Sequence, residues 1–346
     1  MALSRLLPAI ALALVAATAA PAQAPPIPSG YVRGEPLAKL SDRLLLWSDG
    51  RLATGRGRNQ PPEERPRTEL QRVTPLGPDV LACGLGEMTQ TYFAKYGALT
   101  CVVATRTGRL RRLAVRTPKV AAVHDLRAGD GWATALVSEH GRGPAVIRFD
   151  PATGRRTARI RLKREEGERA TPALLDANTV GRLVRRDGAC LWTVTRLDGT
   201  PSPPPQALPQ LPPGCGVYRD RLLVDAADQS RLLLLMTRDN RATGTAIATP
   251  ATRPPYALRI VARRQPDPTN DSSRFVLWGD AIYVPDFSTA TYSAYRLSDA
   301  RLLRADGPLP MNWLAGVAVD PSGASRPTVV FRPKTGGWET QPFPPR

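Results

Sequence analysis

The chain has 346 residues, is 42% hydrophobic but only 6% aromatic, and carries a formal charge of +18. That length and apolar fraction exclude a disordered tail or a minimal stapled domain, leaving one large repeat domain or two ordinary ones. All but five of its 48 cationic side chains are arginine (the lysines are Lys39, Lys95, Lys119, Lys163 and Lys334). The same excess of arginine, alanine and proline is what a GC-rich genome writes, yet the field it creates acts whatever its origin.

Residues 6–20 form an apolar run (LLPAIALALVAATAA) after a single charge, Arg5, and small residues follow. That is the layout of a secretory signal peptide. Two A-x-A sites compete. Cleavage after Ala22 starts the mature chain at Gln23, whereas the other site would place Pro25 just after the cut, where proline lacks the N–H and the free φ of an extended substrate. The run is short of the roughly 20 residues that span a bilayer, and no cysteine follows it for a lipid anchor. The expected product is a periplasmic or secreted chain of residues 23–346, one domain without a membrane span.

Between Tyr31 and Phe343 the apolar residues come in runs of four to eight rich in Val, Leu, Ile and Thr, with almost no helical spacing. Residues 43–47 (RLLLW), 101–105 (CVVAT), 145–149 (AVIRF), 191–195 (LWTVT), 232–237 (LLLLMT), 281–284 (AIYV) and 328–331 (TVVF) are examples, and Gly, Asp, Asn and Pro separate them. Several runs return through a tight turn. In residues 147–162 (IRFDPATGRRTARIRL), Asp150-Pro151 opens the turn and Gly154 supplies positive φ. Residues 102–115 and 193–208 repeat the pattern, with weaker copies at 234–249, 293–309 and 328–343. One marker per turn gives Gly50, Gly108, Gly154, Gly199, Asn240, Asp299 and Gly336. A recurring unit of roughly 40–50 residues of short strands is the signature of a propeller. The expected fold is therefore all-β, a β-propeller of about seven four-stranded blades. Six or eight remain open, because the two long gaps could hide insertions. Residues 31–40 are expected to complete the last blade and close the ring.

Two stretches carry a family resemblance. Residues 147–154 (IRFDPATG) with the alternating strand that follows resemble the blade hairpin of bacterial YVTN-type and quinoprotein-type propellers. Residues 281–286 (AIYVPD), leading through 292–297 (YSAYRL) to Leu302-Leu303, resemble the same unit with its inner strand. The resemblance implies a fold and says little of activity, since propellers host many functions. The six tryptophans are unevenly spaced, which departs from quinone-binding members, and no Trp-Asp dipeptide occurs. Lactonase-like propellers hold Ca²⁺ at inner-strand ends. By that likeness the candidates are Asp286, Asp271 and Asn270, with Asp225 as a further one, although Asn270-Asp271-Ser272 also reads as a plain turn.

In an exported chain the four cysteines form disulfides. The sequence-local pairing is Cys83–Cys101 and Cys190–Cys215, each closing a loop that looks irregular inside. No Cys-x-x-Cys or nearby histidine supports zinc. His140 sits in a polar turn and His124 at a strand end. Without a G-x-S-x-G elbow neither marks a catalytic triad. Gly84-Leu-Gly86 and Gly55-Arg-Gly57 lack the third glycine and the helix that hold phosphate. No catalytic or cofactor residue is singled out.

The arginines cluster at 109–116, 155–161, 164–169, 182–186 and 263–264. Most alternate with apolar residues, as a solvated strand face does. The sharper reading is an anion-binding surface made by Arg109, Arg111, Arg112, Arg155, Arg156, Arg185 and Arg186. Export directs it away from nucleic acid, toward an anionic polysaccharide or an envelope protein. The function expected is a monomeric, non-enzymatic binding scaffold of the cell envelope. The alternative is a Ca²⁺-dependent propeller hydrolase, told apart by the carboxylates lining its channel.

Overall fold

Twenty-eight strands and no helix make up the described part of the chain. The computed structural model describes residues 31–344 apart from 33–35, 55, 60–67, 92–93, 130, 164–171, 212–216, 227–229, 239–242, 251–253, 265–275, 287–288, 297–300, 310–313, 324 and 332–337. The expected signal peptide lies outside these residues. No described helix is long and apolar enough to cross a membrane.

The strands form antiparallel meanders in strict chain order. The first has strands Pro36–Ser41, Leu44–Trp47 and Leu52–Thr54. The second has Thr68–Leu76, Asp79–Gln90, Lys95–Ala104 and Leu110–Ala114. The third has Val120–Gly129, Trp132–Glu139, Gly143–Phe149 and Arg156–Arg161. A single bridge, Val120 to Gly97, joins these two into one sheet. The fourth comprises Ala173–Leu174, Thr179–Arg186, Ala189–Arg196 and Gln206–Ala207, and the fifth Val217–Ala226, Ser230–Arg238, Thr243–Pro250 and Leu258–Arg264. The sixth comprises Val276–Trp278, Ala281–Asp286, Thr291–Arg296 and Leu302–Pro308. The seventh has Leu314–Ala318, Thr328–Phe331 and Trp338–Pro342.

Strand alternation explains how the meanders stack. Successive side chains point to opposite faces, so a stretch of strand that is apolar on both faces can serve two interfaces. In Asp79–Gln90, Val80 and Ala82 pack with Ala38, Leu44 and Leu46 of the first meander. Leu81, Cys83 and Leu85 pack with Val123, Ala135 and Ile147 of the third. Leu136, Val146, Leu174 and Val180 join the third meander to the fourth. Leu183, Trp192, Tyr256 and Leu258 join the fourth to the fifth. The core is thus a series of apolar layers between sheets.

The first strands lie beside one another. Pro36–Ser41 touches both Thr68–Leu76 and Leu314–Ala318, Val120–Gly129 touches Thr68–Leu76 and Ala173–Leu174, and Val217–Ala226 touches Val276–Trp278. The first meander therefore meets the seventh. Leu45, Trp47, Ala53, Ala318, Val330 and Trp338 share one buried layer, and the Lys39 N–H donates to Val319 O at 3.0 Å. Tyr283, Tyr292 and Phe343 join the sixth meander to the C-terminal end of the seventh, with ring centroids 5.2–5.9 Å apart.

The N-terminal contribution differs from the single segment expected. Arg56–Asn59, which follows the first meander, pairs antiparallel with Trp338–Pro342, and Tyr31–Val32 then pairs parallel with Arg56–Asn59. Pro36–Ser41 instead begins the first meander. Two N-terminal segments thus join the seventh sheet.

Cys83 and Cys101 are disulfide-bonded and are direct partners on neighbouring strands. The loop they close is a β-hairpin, not the irregular segment expected. Its glycines serve close backbone approach: a Cβ on Gly84 would lie 1.9 Å from Glu69 O. The second expected pair includes Cys215, which lies outside the described residues.

Candidate functional site

Polar groups gather where the first strands of the second, third and fourth meanders lie side by side. The seam between the second and third is closed by side chains. The Arg72 guanidinium donates through Nε to His124 O at 2.6 Å and through Nη1 to Gln71 O at 2.7 Å. Gln71 accepts the Val123 N–H at 2.7 Å, and its amide donates to Glu69, which also pairs with Lys95.

Next along that strand, the register shifts between Val123 and Asp125. Such a shift re-aims side chains, and Asp125 is buried at the irregularity. Its Oδ1 accepts the Leu126 N–H at 2.7 Å and its Oδ2 accepts the Leu174 N–H at 2.6 Å, so one carboxylate ties the third meander to the fourth. Burial pushes the Asp125 carboxyl up to about 7, against the charges of Arg127 and Arg72 and the two backbone donors, which pull it down.

His124 shares the irregularity. Its Nε2 lies 2.6 Å from Ser138 Oγ. Burial, helped by the Arg72 charge, lowers the imidazole to about 4, so it is neutral at physiological pH. The distance is that of a nucleophile and its base. However, an imidazole this acidic is a weak base, and among the described residues no third group holds its other ring nitrogen. Ser138 also lies within a strand (Trp132–Glu139) and not on a sharp strand-to-helix turn. The pair closes a cross-strand hydrogen bond. The sequence set Ser138 beside His140 in a polar turn, whereas it bonds His124, and nothing flagged Arg72 or Asp125, whose partners come from neighbouring meanders.

No group of three His, Cys, Asp or Glu able to hold a metal ion occurs among the described residues. Asn270 and Asp271 lie outside those residues. Asp286 and Asp225 lie in described strands whose side chains there are not described.

The arginines expected to form one surface are split between two ends of the sheets. Arg109, Arg111, Arg112, Arg155 and Arg156 lie on the fourth strands of the second and third meanders or on the turns leading into them. Arg111 bridges the two, donating to Ala152 O and to Pro151 O, the latter at 3.0 Å. Arg148, near the same end of the third meander, donates to Ala177 O at 3.3 Å in the first turn of the fourth. Arg185 and Arg186 precede the next turn of that meander, between Thr179–Arg186 and Ala189–Arg196, and so lie at the opposite end. The same logic places Arg106 at the first end. It donates to Leu40 O at 3.3 Å and to Pro78 O at 3.1 Å, and grips the buried Asp320 at 3.1–3.3 Å. Burial raises the Asp320 carboxyl, but hydrogen bonds from Ser322, Arg106 and Ser325 outweigh it and leave it below its ordinary value.

No family model matches the chain, and no curated protein matches it. Solved structures are similar in outline. Hydrazine synthase of Kuenenia stuttgartiensis aligns over 93% of this chain and 97% of its own at 10% identity, with a TM-score of 0.47. The Dos1 propeller aligns over 88% and 73% at 8% identity (TM-score 0.43). A protein from Lactobacillus plantarum aligns over 76% and 81% at 11% identity (TM-score 0.42). Nothing of their activities transfers at this distance, and the architecture rests on this chain's own strand pairing.

Proposed function

We propose that the meanders are the seven blades of a β-propeller closed through the seam between the first and seventh. The chain would be exported, cleaved after Ala22, and act as a monomeric, non-enzymatic envelope protein that holds an anionic glycan or acidic protein on its arginine-rich surface. No metal or cofactor enters this reading. The observation that carries it is the surplus of cationic side chains without counter-ions. Arg109, Arg112, Arg156, Arg185 and Arg186 are exposed, and none makes an ion pair among the described residues. Guanidinium groups left in this state bind carboxylate, phosphate or sulfate by two-pronged hydrogen bonds. Support for closure comes from the packed layers that join the first five meanders in order and the first to the seventh, and from the ring contacts between the sixth and seventh.

The test is retention on a heparin column. The parent should elute late in a salt gradient, and a variant with these five arginines changed to Gln should elute distinctly earlier. Elution of the parent with a neutral protein of the same size would remove the reading.

A further inference from the structure

The end of the sheets opposite Arg106 carries a second group of cations that the sequence clusters did not isolate. It is built on the turn between Trp132–Glu139 and Gly143–Phe149. Glu139 is buried and takes Arg159 in a two-pronged pair, with Nε 2.6 Å from Oε1. Arg159, Arg142 and Arg161 all act on that carboxylate, holding it below its ordinary value although burial opposes them. One carboxylate therefore serves several guanidiniums. Arg142 and Arg161 are exposed and make no ion pair among the described residues.

Beside them the aromatic ring of Tyr96, from the second meander, stacks on His140, with centroids 4.2 Å apart and planes 28° from parallel. Lys119 Nζ sits 4.8 Å from the same ring centroid. The His140 N–H donates to Lys119 O at 2.8 Å, and the Arg142 N–H donates to Glu139 O at 3.1 Å. The turn, the linker residue and the ring are thereby locked together. Lysine on a free surface loses rotamer freedom when it grips a ligand. Here the cation–π contact has already restricted it, and such preorganisation raises affinity.

We propose that Lys119, His140, Arg142 and Arg161, organised by Tyr96, form a binding site for a glycan chain bearing carboxylate or sulfate groups. This rests on the anion-binding reading above and adds a defined glycan site to it. Cations set beside a stacked Tyr–His pair suit a ligand that offers both oxyanions and the apolar C–H face of a sugar ring. An acidic peptide offers only the former.

Isothermal titration with a heparin hexasaccharide and with a galacturonate hexamer tests it, at two salt concentrations, with a hexaglutamate peptide for comparison. The triple variant Lys119→Gln, Arg142→Gln, Arg161→Gln should weaken binding of at least one glycan tenfold or more. The triple variant Arg43→Gln, Arg301→Gln, Arg304→Gln removes the same charge at exposed positions outside both arginine groups and should stay within twofold of the parent. Tyr96→Ala should weaken binding severalfold at unchanged net charge, and Tyr96→Phe should restore it. Equal losses from the two triple variants would show net charge alone, and hexaglutamate binding as tight as the glycans would show a peptide site. Either result overturns the proposal. If the parent binds none of the three probes, the anion-binding reading falls with it. If the parent binds and the first triple variant binds equally well, only this site falls.

Discussion

Asp125 and His124 are neighbours whose titrations pull stability in opposite directions. The Asp125 carboxyl is raised from 3.8 to about 7 in the folded chain, so the folded state holds a proton that the unfolded state releases. Its contribution is present at low pH and is lost as pH rises from about 4 through about 7. His124 is lowered from 6.5 to about 4, so the unfolded state binds the proton more readily. Its contribution is present above about 6.5 and is lost as pH falls toward about 4. Melting temperatures measured between pH 4 and 8 should therefore steepen in opposite senses when each group is removed. His124→Gln should leave stability falling with rising pH across this range, and Asp125→Asn should leave it rising. Asp125→Asn should also cost about 1–3 kcal/mol at any pH, because an amide NH₂ cannot accept the Leu174 N–H. Curves for both variants parallel to the parent's would show that neither group titrates in this range. None of this was legible in the sequence. The sequence reading put His124 at a strand end, whereas it lies inside Val120–Gly129, and the group that fixes Asp125 stands 49 residues further on.

Local elements were more legible, because turn chemistry is local. Asp150 Oδ1 accepts the Ala152 N–H at 2.7 Å and Gly154 has φ of 75°, the geometry expected of the Asp-Pro and Gly signals. Asp198 repeats it with the Thr200 N–H at 3.0 Å, and Asp49 with the Arg51 N–H at 3.0 Å. The spacing of the markers was misleading for a physical reason. Gly108, Gly154, Gly199 and Asp299 fall between third and fourth strands, whereas Gly50, Asn240 and Gly336 fall between the two strands before. Stepping from the earlier turn of one meander to the later turn of the next makes a long gap, and the reverse step makes a short one. The long gaps from Gly50 to Gly108 and from Asn240 to Asp299 need no insertion. The second meander also sets a test at this scale. Its disulfide joins two fully buried cysteines 18 residues apart. The paired change Cys83→Ala, Cys101→Ala should lower unfolding free energy by about 3 kcal/mol, the loop-closure value for a segment of this size. Urea denaturation under oxidising conditions measures it, and a loss under about 1 kcal/mol would mean the ladder alone holds the hairpin in the unfolded ensemble too.

At the scale of the molecule, an open stack and a closed ring make different demands on the two ends. In an open stack each repeat leans only on its neighbours, so damage at one end stays there. In a ring the first and seventh meanders are neighbours, and weakening their seam exposes both. The sequence suggested closure but assigned it to one N-terminal strand. It could not show that the seam also draws on Arg106, from the second meander, whose guanidinium reaches Asp320 in the seventh past Leu40 of the first. Asp320 is fully buried, while Arg106 is about one-third exposed. Removing one partner of a buried pair costs about 3–5 kcal/mol where the other is left without compensation, and the exposure of Arg106 sets the expectation for Asp320→Ala at the lower end. The loss should reach both flanks of the seam. Hydrogen exchange should quicken in Leu44–Trp47 as well as in Thr328–Phe331, because Trp47 and Trp338 pack across it at 5.1 Å. Residues 145–149, in the third meander, should keep their protection under conditions where only the seam opens. Arg106→Ala should reproduce the pattern, and the double variant should cost less than the two single losses added together. Deleting residues 23–40 removes all of Pro36–Ser41 but its last residue, and with it the Lys39 to Val319 hydrogen bond, so that truncation should lower the melting temperature sharply. Faster exchange confined to Thr328–Phe331, with the first meander unchanged, would describe an open stack with a frayed last repeat and would remove the ring.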